Sequence, residues 1–286
     1  MKLATLRTPT GTIAVRVTED GVGIELPGVP DVGALLSHPD YARLSNAGIE
    51  AHDLHSADWA PVVPHPGKII CVGLNYREHI TEMGGDLPEF PTLFAKYPEA
   101  ITGPYDSIEV PDYAAHALDW EGELAVIVGK TVRRADYTTA AQAIAGYSVL
   151  NDLTMRDYQN RTGEWLQGKT FEASTPFGPV LVTTDEFGFG DLRTTVNGEL
   201  KQHASTSDLV FNPAQLVANT SPWSLHSTPE TSLPPARPAE WDMRNTYATD
   251  IPLSQRSTES ASSPTPSPCY PKCPGSDDRS TTAATP

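Results

Sequence analysis

The alternation of apolar and polar residues opens with three short runs, KLATLRT, TIAVRVT and GVGIELP, separated by Pro-Thr-Gly and Glu-Asp-Gly. Period-two patterning between turn residues predicts strands joined by tight turns, a small β unit over residues 1–27. Residues 32–47 change to helical spacing, interrupted by Pro39, which cannot continue a helix. The proline-rich ADWAPVVPHPG then predicts a boundary near residue 65. From Lys68 the apolar signal strengthens. KIICVGLNY reads as a buried strand, and YREHITEMG as a short helix closed by Gly84-Gly85. FPTLFAKYP is extended, ALDWEGELAVIVGK a strand, TAAQAIAGYSVLND a helix running into a strand, TMRDYQNR a helix and GPVLVTTDEF a strand. DLRTTVNGELKQHAS predicts a hairpin with Asn197-Gly198 at its tip. Without a regular strand–helix–strand cadence, the expected class is mixed α/β and β-rich, a sandwich or roll.

Composition narrows the function. A chain of 286 residues can bury one large core or two modest ones. Its net charge of −16 and the absence of Lys/Arg clusters exclude a DNA or RNA partner. There is no apolar run long enough to span a bilayer, and the first residues lack the charged, apolar, small order of a signal peptide; a cytoplasmic protein without a membrane partner is expected. Cys71 lies in an apolar run, and Cys269 and Cys273 lie in a Ser/Pro-rich tail, so no disulfide framework is expected. Beyond Ala218 the chain is dense in Ser, Thr and Pro with little periodic apolar signal, the composition of disorder. The expected divisions are a small N-terminal β domain over 1–65, a catalytic segment over 66–218 and a tail over 219–286.

Several residues carry candidate chemistry. In DWEGELAVIVG, strand geometry puts Glu121 and Glu123 on one face. At the mouth of an apolar run, adjacent carboxylates are costly unless a cation or proton compensates, and hard oxygen ligands favour Mg²⁺, Mn²⁺ or Ca²⁺ over zinc. A solvated strand end accounts for the same motif. Asp152, closing the run YSVLND, offers a third oxygen if its strand neighbours the first; it also suits a helix N-cap. His79 and Glu82, three apart on a helix, form either a carboxylate-oriented general base or a surface pair. Lys169 follows a glycine and precedes a Pro/Gly-rich turn, where its ammonium can face an anion or solvent.

Taken in order, the blocks GLNYREHITEMG, PTLFAKYPEAITGP, LDWEGELAVIVGK, GYSVLNDLTMRDYQ, QGKTFEASTPFGP and VNGELKQHASTSDLVFNPAQLVA resemble the fumarylacetoacetate hydrolase family from about Lys68 to Ala218. The resemblance implies a β-sandwich roll preceded by a small β domain, and a homodimer. It implies Glu121, Glu123 and Asp152 as ligands of Mg²⁺ or Mn²⁺, with Ca²⁺ also compatible. His79 with Glu82 falls on the family's water-activating dyad, Lys169 on its catalytic lysine, and Arg156 and Gln159 on substrate contacts. The implied reaction is divalent-metal-dependent hydrolysis of a C–C bond in a small 2-oxo acid, of acylpyruvate or fumarylpyruvate type, through a metal-stabilised enolate. Isomerases and decarboxylases of 2-oxo-dienoates in aromatic catabolism share that enolate.

The resemblance stops where family members continue into Gly-Asp-Val-Ile-Ala-Thr-Gly-Thr-Pro-Gly-Gly-Val-Gly. Synonymous codons for Arg237–Arg244, regrouped to start on the preceding third base, read Thr-Pro-Gly-Gly-Val-Gly-His-Ala. Glu230–Ala236 likewise encodes Gly-Asp-Val-Ile-Ala-Thr-Gly, and Trp241 and Met243, with one codon each, constrain the reading. This implies a one- or two-base insertion or deletion shortly after Ala218, an out-of-frame tail, and a catalytically impaired remnant as the alternative to an active enzyme.

Overall fold

The computed structural model describes residues 1–82 and 84–221, and the backbone of 231–233. The N-terminal runs form β1 (Lys2–Thr8), β2 (Gly11–Val17) and β3 (Val22–Glu25), followed by α1 (Val32–Ser37) and α2 (Tyr41–Leu44) on either side of Pro39. Short strands β4 (Ala51–Asp53) and β5 (Asp58–Trp59) lead to β6 (Lys68–Gly73), α3 (Arg77–Glu82), β7 (Thr92–Lys96) and β8 (Ile101–Thr102). Then come β9 (Leu118–Asp119), β10 (Gly122–Val128), α4 (Tyr137–Ala143), β11 (Ile144–Asn151), β12 (Thr154–Met155), α5 (Arg156–Gln159) and α6 (Leu166–Lys169). β13 (Thr175–Pro176), β14 (Leu181–Thr183), β15 (Asp191–Val196), β16 (Glu199–Ser205), α7 (Pro213–Thr220) and β17 (Thr231–Leu233) complete the order. The hairpin β15–β16 turns at Asn197-Gly198, both at positive φ (53° and 79°), the conformation that an Asn-Gly pair tolerates.

One sheet runs β4-β3-β2-β1-β14-β11-β10-β17-β6-β7, with β5 on β1. The two halves of the chain meet where Lys2 and Leu3 of β1 pair antiparallel with Val182 and Leu181. Leu3, Leu26, Val32 and Leu35 pack in one core with Ala125, Ile127, Leu150 and Phe177. Residues 1–65, expected as a separate β domain, therefore share a sheet and a core with the catalytic segment in one compact unit. A β unit this small gains more buried apolar surface by joining a larger core than by closing its own. On the opposite face of β10, Leu124, Val126 and Val128 pack with Tyr76, Tyr147, Leu192 and Val217. β10 is thus buried on both faces, as its unbroken apolar run requires.

Helix α7 is capped by Asn212: its Oδ1 accepts from Gln215 N at 3.0 Å, and Gln215 Oε1 accepts from Asn212 N at 2.8 Å. Packing continues past Ala218. Ser221 is fully buried, and its Oγ accepts from Ala135 N at 2.9 Å. Of the tail expected to be disordered and out of frame, residues 219–221 thus belong to the packed fold, and residues 222–230 and 234–286 lie outside the described residues. β17 lies between β10, to which it is antiparallel (Val126↔Leu233), and β6, to which it is parallel (Thr231↔Lys68).

Candidate active site

Pairing of β10 with β11 assembles the acidic cluster. Gly122 is opposite Asn151 and Glu123 opposite Leu150, so the pleat carries Glu121, Glu123 and the neighbouring Asp152 onto one face. The register is held beyond the strand ends, with Asp152 N donating to Glu121 O at 2.7 Å and Glu121 N to Asn151 Oδ1 at 3.1 Å. From the next hairpin, Gln202 accepts from Gly122 N at 3.3 Å and donates to Trp120 O at 3.2 Å, pinning the start of β10. All three carboxylates are buried, at 2%, 0% and 1% exposure for Glu121, Glu123 and Asp152. Burial of this kind requires positive charge nearby.

Two buried lysines and one arginine supply it. Lys169 Nζ donates to Glu121 Oε2 at 2.6 Å and to Asp152 Oδ2 at 2.8 Å. Lys96 Nζ donates to the other oxygen, Asp152 Oδ1, at 2.7 Å and to the backbone oxygen of Lys169. Burial would push the Asp152 carboxyl up, but Lys169 and Lys96 hold it at about 2. Burial likewise disfavours the Lys169 ammonium, yet Asp152 and Glu121 together keep its pKa above that of an ordinary lysine. At neutral pH it is therefore a fixed charge. Gly168 allows this arrangement, because a Cβ there would lie 2.5 Å from Gln159 N and Met155 O, separating α6 from α5.

Arg156 closes the cluster towards solvent. Backbone pairing of β9 with β12 (Met155↔Leu118, Thr154↔Asp119) brings it beside Asp119, whose Oδ2 accepts from Nε at 2.8 Å and Nη2 at 2.6 Å. Nη2 also reaches Glu121 Oε1, and Nη1 donates to Gln159 Oε1 at 2.6 Å. These partners outweigh the cost of burial and raise the Arg156 pKa. A cavity of about 300 Å³ opens between Gly73, His79, Phe94, Glu121, Arg156 and Lys169, with Leu74, Gln159, Asn160 and Trp165 completing its wall. Leu74, at a φ of 58°, turns the chain out of β6 towards α3 and His79.

Of the residues singled out in the sequence, Glu121, Asp152, Lys169, Arg156 and Gln159 are joined by direct hydrogen bonds, Glu123 is buried on the same sheet face, and His79 lines the cavity. Glu82 is placed apart: it is exposed and borders a shallow surface with Arg77, Glu78 and Thr81. Lys96 and Asp119 were not singled out. Lys96 ends the apolar run TLFAK and Asp119 precedes the E-x-E motif, so neither carries a local signal beyond its place in those runs. Cys71 is buried in β6, and burial raises its thiol well above the ordinary value, which makes it unreactive.

Three buried carboxylates offer the hard oxygen donors of a Mg²⁺ or Mn²⁺ site, and an ammonium already stands between two of them. The residues therefore fit a cation. Among the described residues, however, the tightest grouping of ligand atoms lies elsewhere, where Glu25, Glu50 and His52 have atoms within 4.8 Å of one another. That grouping is at the surface, and the 2.9 Å contact of His52 Nε2 with Glu25 Oε2 accounts for much of it. Burial and the facing cavity favour the cluster on β10 and β11.

The family described as Fumarylacetoacetate (FAA) hydrolase C-terminal matches residues 68–226. A mitochondrial oxaloacetate tautomerase of Rattus norvegicus is 41% identical over 163 residues, which cover 56% of this chain and 51% of that protein. Oxaloacetate tautomerase YisK of Bacillus subtilis is 40% identical over 165 residues, covering 56% and 55%. The matches thus span about half the length of these curated relatives. Among solved structures, a 5-carboxymethyl-2-hydroxymuconate delta-isomerase from Mycobacterium smegmatis superposes with a TM-score of 0.69 at 31% identity, covering 82% of this chain and 87% of that one.

Proposed function

Because the chain belongs to the fumarylacetoacetate hydrolase family, we propose that its site enolises a small dicarboxylic 2-oxo acid, interconverting keto and enol forms of an oxaloacetate-like substrate. The observation that carries this reading is the Lys169 ammonium, fixed at 2.6 and 2.8 Å from Glu121 and Asp152 on the wall of a small cavity. A substrate carboxylate and enol oxygen entering that cavity meet the charges of Lys169 and Arg156. Because Lys169 stays protonated at neutral pH, it stabilises developing negative charge and does not serve as a base. His79, on the same wall, moves the proton between carbon 3 and the carbonyl oxygen, a transfer that balances without a co-reactant. A divalent cation held by Glu121, Glu123 and Asp152 supplies further Lewis-acid charge when bound. The cavity volume is at the lower end for small-molecule sites, which suits a four- or five-carbon acid better than a large ligand.

Isomerisation is favoured over hydrolysis by Glu82. Water activation requires it against His79, yet it is exposed and borders a different surface. A C–C hydrolase of acylpyruvate type remains the second reading, supported by His79 on the cavity wall. Turnover by the purified chain with Mg²⁺, followed separately on enol-oxaloacetate and on an acylpyruvate panel, separates the two. Glu121→Ala should abolish whichever activity is present, and retained turnover under chelator would overturn the metal assignment.

A third reading, the out-of-frame remnant, is favoured by β17. This three-residue strand is flanked on both sides, and Pro234 and Pro235 follow it directly. Proline has no N–H to donate and does not suit a central strand. Sequencing the locus and restoring the frame tests it; repaired and unrepaired chains of equal activity would dismiss the remnant reading.

A further inference from the structure

Lys96 is a fully buried ammonium that the proposed reaction does not use. Its contacts form a closed ring with two residues of the site. Lys96 Nζ donates to Asp152 Oδ1, Asp152 Oδ2 accepts from Lys169 Nζ, and the backbone oxygen of Lys169 accepts from Lys96 Nζ. The ring grips Lys169 at both ends, main chain and ammonium, with Asp152 between. α6 is one turn long, and Lys169 is its last residue, where backbone oxygens lack partners within the helix. A cation there satisfies one of them and opposes the helix dipole.

Other parts of β7 act on the same turn. Tyr97 N donates to Thr170 Oγ1 at 2.9 Å, directly after Lys169. Lys169 Nζ lies 5.2 Å from the centre of the Phe94 ring, which meets Trp165 edge-on at 5.4 Å. A lysine side chain has four rotatable bonds, and an ammonium that must meet developing charge loses effect when it wanders by an ångström. From these contacts we infer that Lys96 is a positioning residue, which fixes the Lys169 ammonium at the cavity wall through Asp152 and the end of α6.

The catalytic part of this inference rests on the enolisation reading; the positional part does not. The experiment therefore has two arms, on the full-length chain. In metal-free protein labelled with ¹⁵N-lysine, the hydrogen-bonded ammonium of Lys169 should give a slowly exchanging signal, assigned by its loss in Lys169→Met. In Lys96→Met that signal should broaden or vanish; its persistence unchanged would overturn the inference, whatever turnover does. In the second arm, at saturating Mg²⁺ and enol-oxaloacetate, Lys96→Met should lower kcat by about 30-fold or more with KM within about 3-fold. In a Lys169→Met background the same substitution should change kcat by less than about 3-fold, because its effect runs through Lys169. An equal loss in both backgrounds would indicate a merely structural role and overturn the inference. If the ammonium signal disappears as expected while neither substitution slows turnover, positioning stands and the enolisation reading fails. Should Lys96→Met not fold, Lys96→Gln, which keeps one donor, and Thr170→Val, which removes only the outer contact, carry the same measurements, with smaller losses in the same direction expected.

Discussion

Replacing Asp152 with asparagine tests the electrostatics of the cluster, because the side chain keeps its shape and loses only its charge. In the native protein Asp152 stands between two ammonium groups, 2.7 Å from Lys96 and 2.8 Å from Lys169, with both lysines buried. Holding its carboxyl at about 2 instead of 3.8 corresponds to roughly 2–3 kcal/mol, at about 1.4 kcal/mol per pKa unit. The amide of asparagine would also turn a donor towards one of the lysines. Removing one partner of a buried ion pair costs about 3–5 kcal/mol, so the two routes agree on a loss near 3 kcal/mol in metal-free protein at neutral pH. The sign with pH follows from the direction of each shift. Asp152 is depressed, so its contribution is fully present above the ordinary carboxyl value and is lost as pH falls through about 2. Lys169 is raised, so its contribution is present below 10.5 and is lost only as pH rises past its folded value. Urea unfolding of native protein and Asp152→Asn with chelator should therefore differ by about 3 kcal/mol at neutral pH. The gap should narrow below about 1 kcal/mol as pH approaches 2. A gap under about 1 kcal/mol at neutral pH, or one that does not change with acid, would refute the reasoning.

Two further substitutions probe the geometry. Glu82→Gln should leave enol-to-keto turnover within about 3-fold, because the side chain lies outside the cavity; a loss of about 100-fold or more in steady-state assays would restore the water-activating dyad and the hydrolytic reading. Gly168→Ala forces a methyl against Gln159 N and Met155 O, each 2.5 Å away, so it should separate α6 from α5. Its kcat should fall by about 10-fold or more, with a loss of about 1–3 kcal/mol on thermal unfolding, and unchanged values in both assays would show that α6 is not held as described.

The acidic cluster was legible because strand periodicity is local. Period two puts Glu121 beside Glu123, and the adjoining apolar runs identify the two strands at whose ends the three carboxylates sit. The hairpin at Asn197-Gly198 and the helices on either side of Pro39 were legible for the same reason. What sequence alone did not disclose depends on distant pairing. Lys96 finds Asp152 across 56 positions, and Asp119 meets Arg156 only through the short β9–β12 pair. The union of the N-terminal strands with the catalytic core rests on Leu3 meeting Leu181, which no local pattern announces. Helix α7 did carry a local signal, Asn212-Pro213 with Gln215, in the spacing of a capped helix start. Spacing of i,i+3 permits His79 and Glu82 to share a helix face, but it does not say which of them lines the cavity; His79 does, and Glu82 is exposed beside Arg77, Glu78 and Thr81.

The most direct test of enolisation follows the conversion of enol-oxaloacetate to its keto form by ultraviolet absorbance, using purified chain with Mg²⁺ beside Lys169→Met and a chelated control. The account predicts a rate at least about 100-fold above buffer for the native chain, falling by about 100-fold or more in Lys169→Met and returning to the buffer rate under chelator. A native chain that converts the enol no faster than buffer, or a Lys169→Met variant as fast as the native chain, would contradict it.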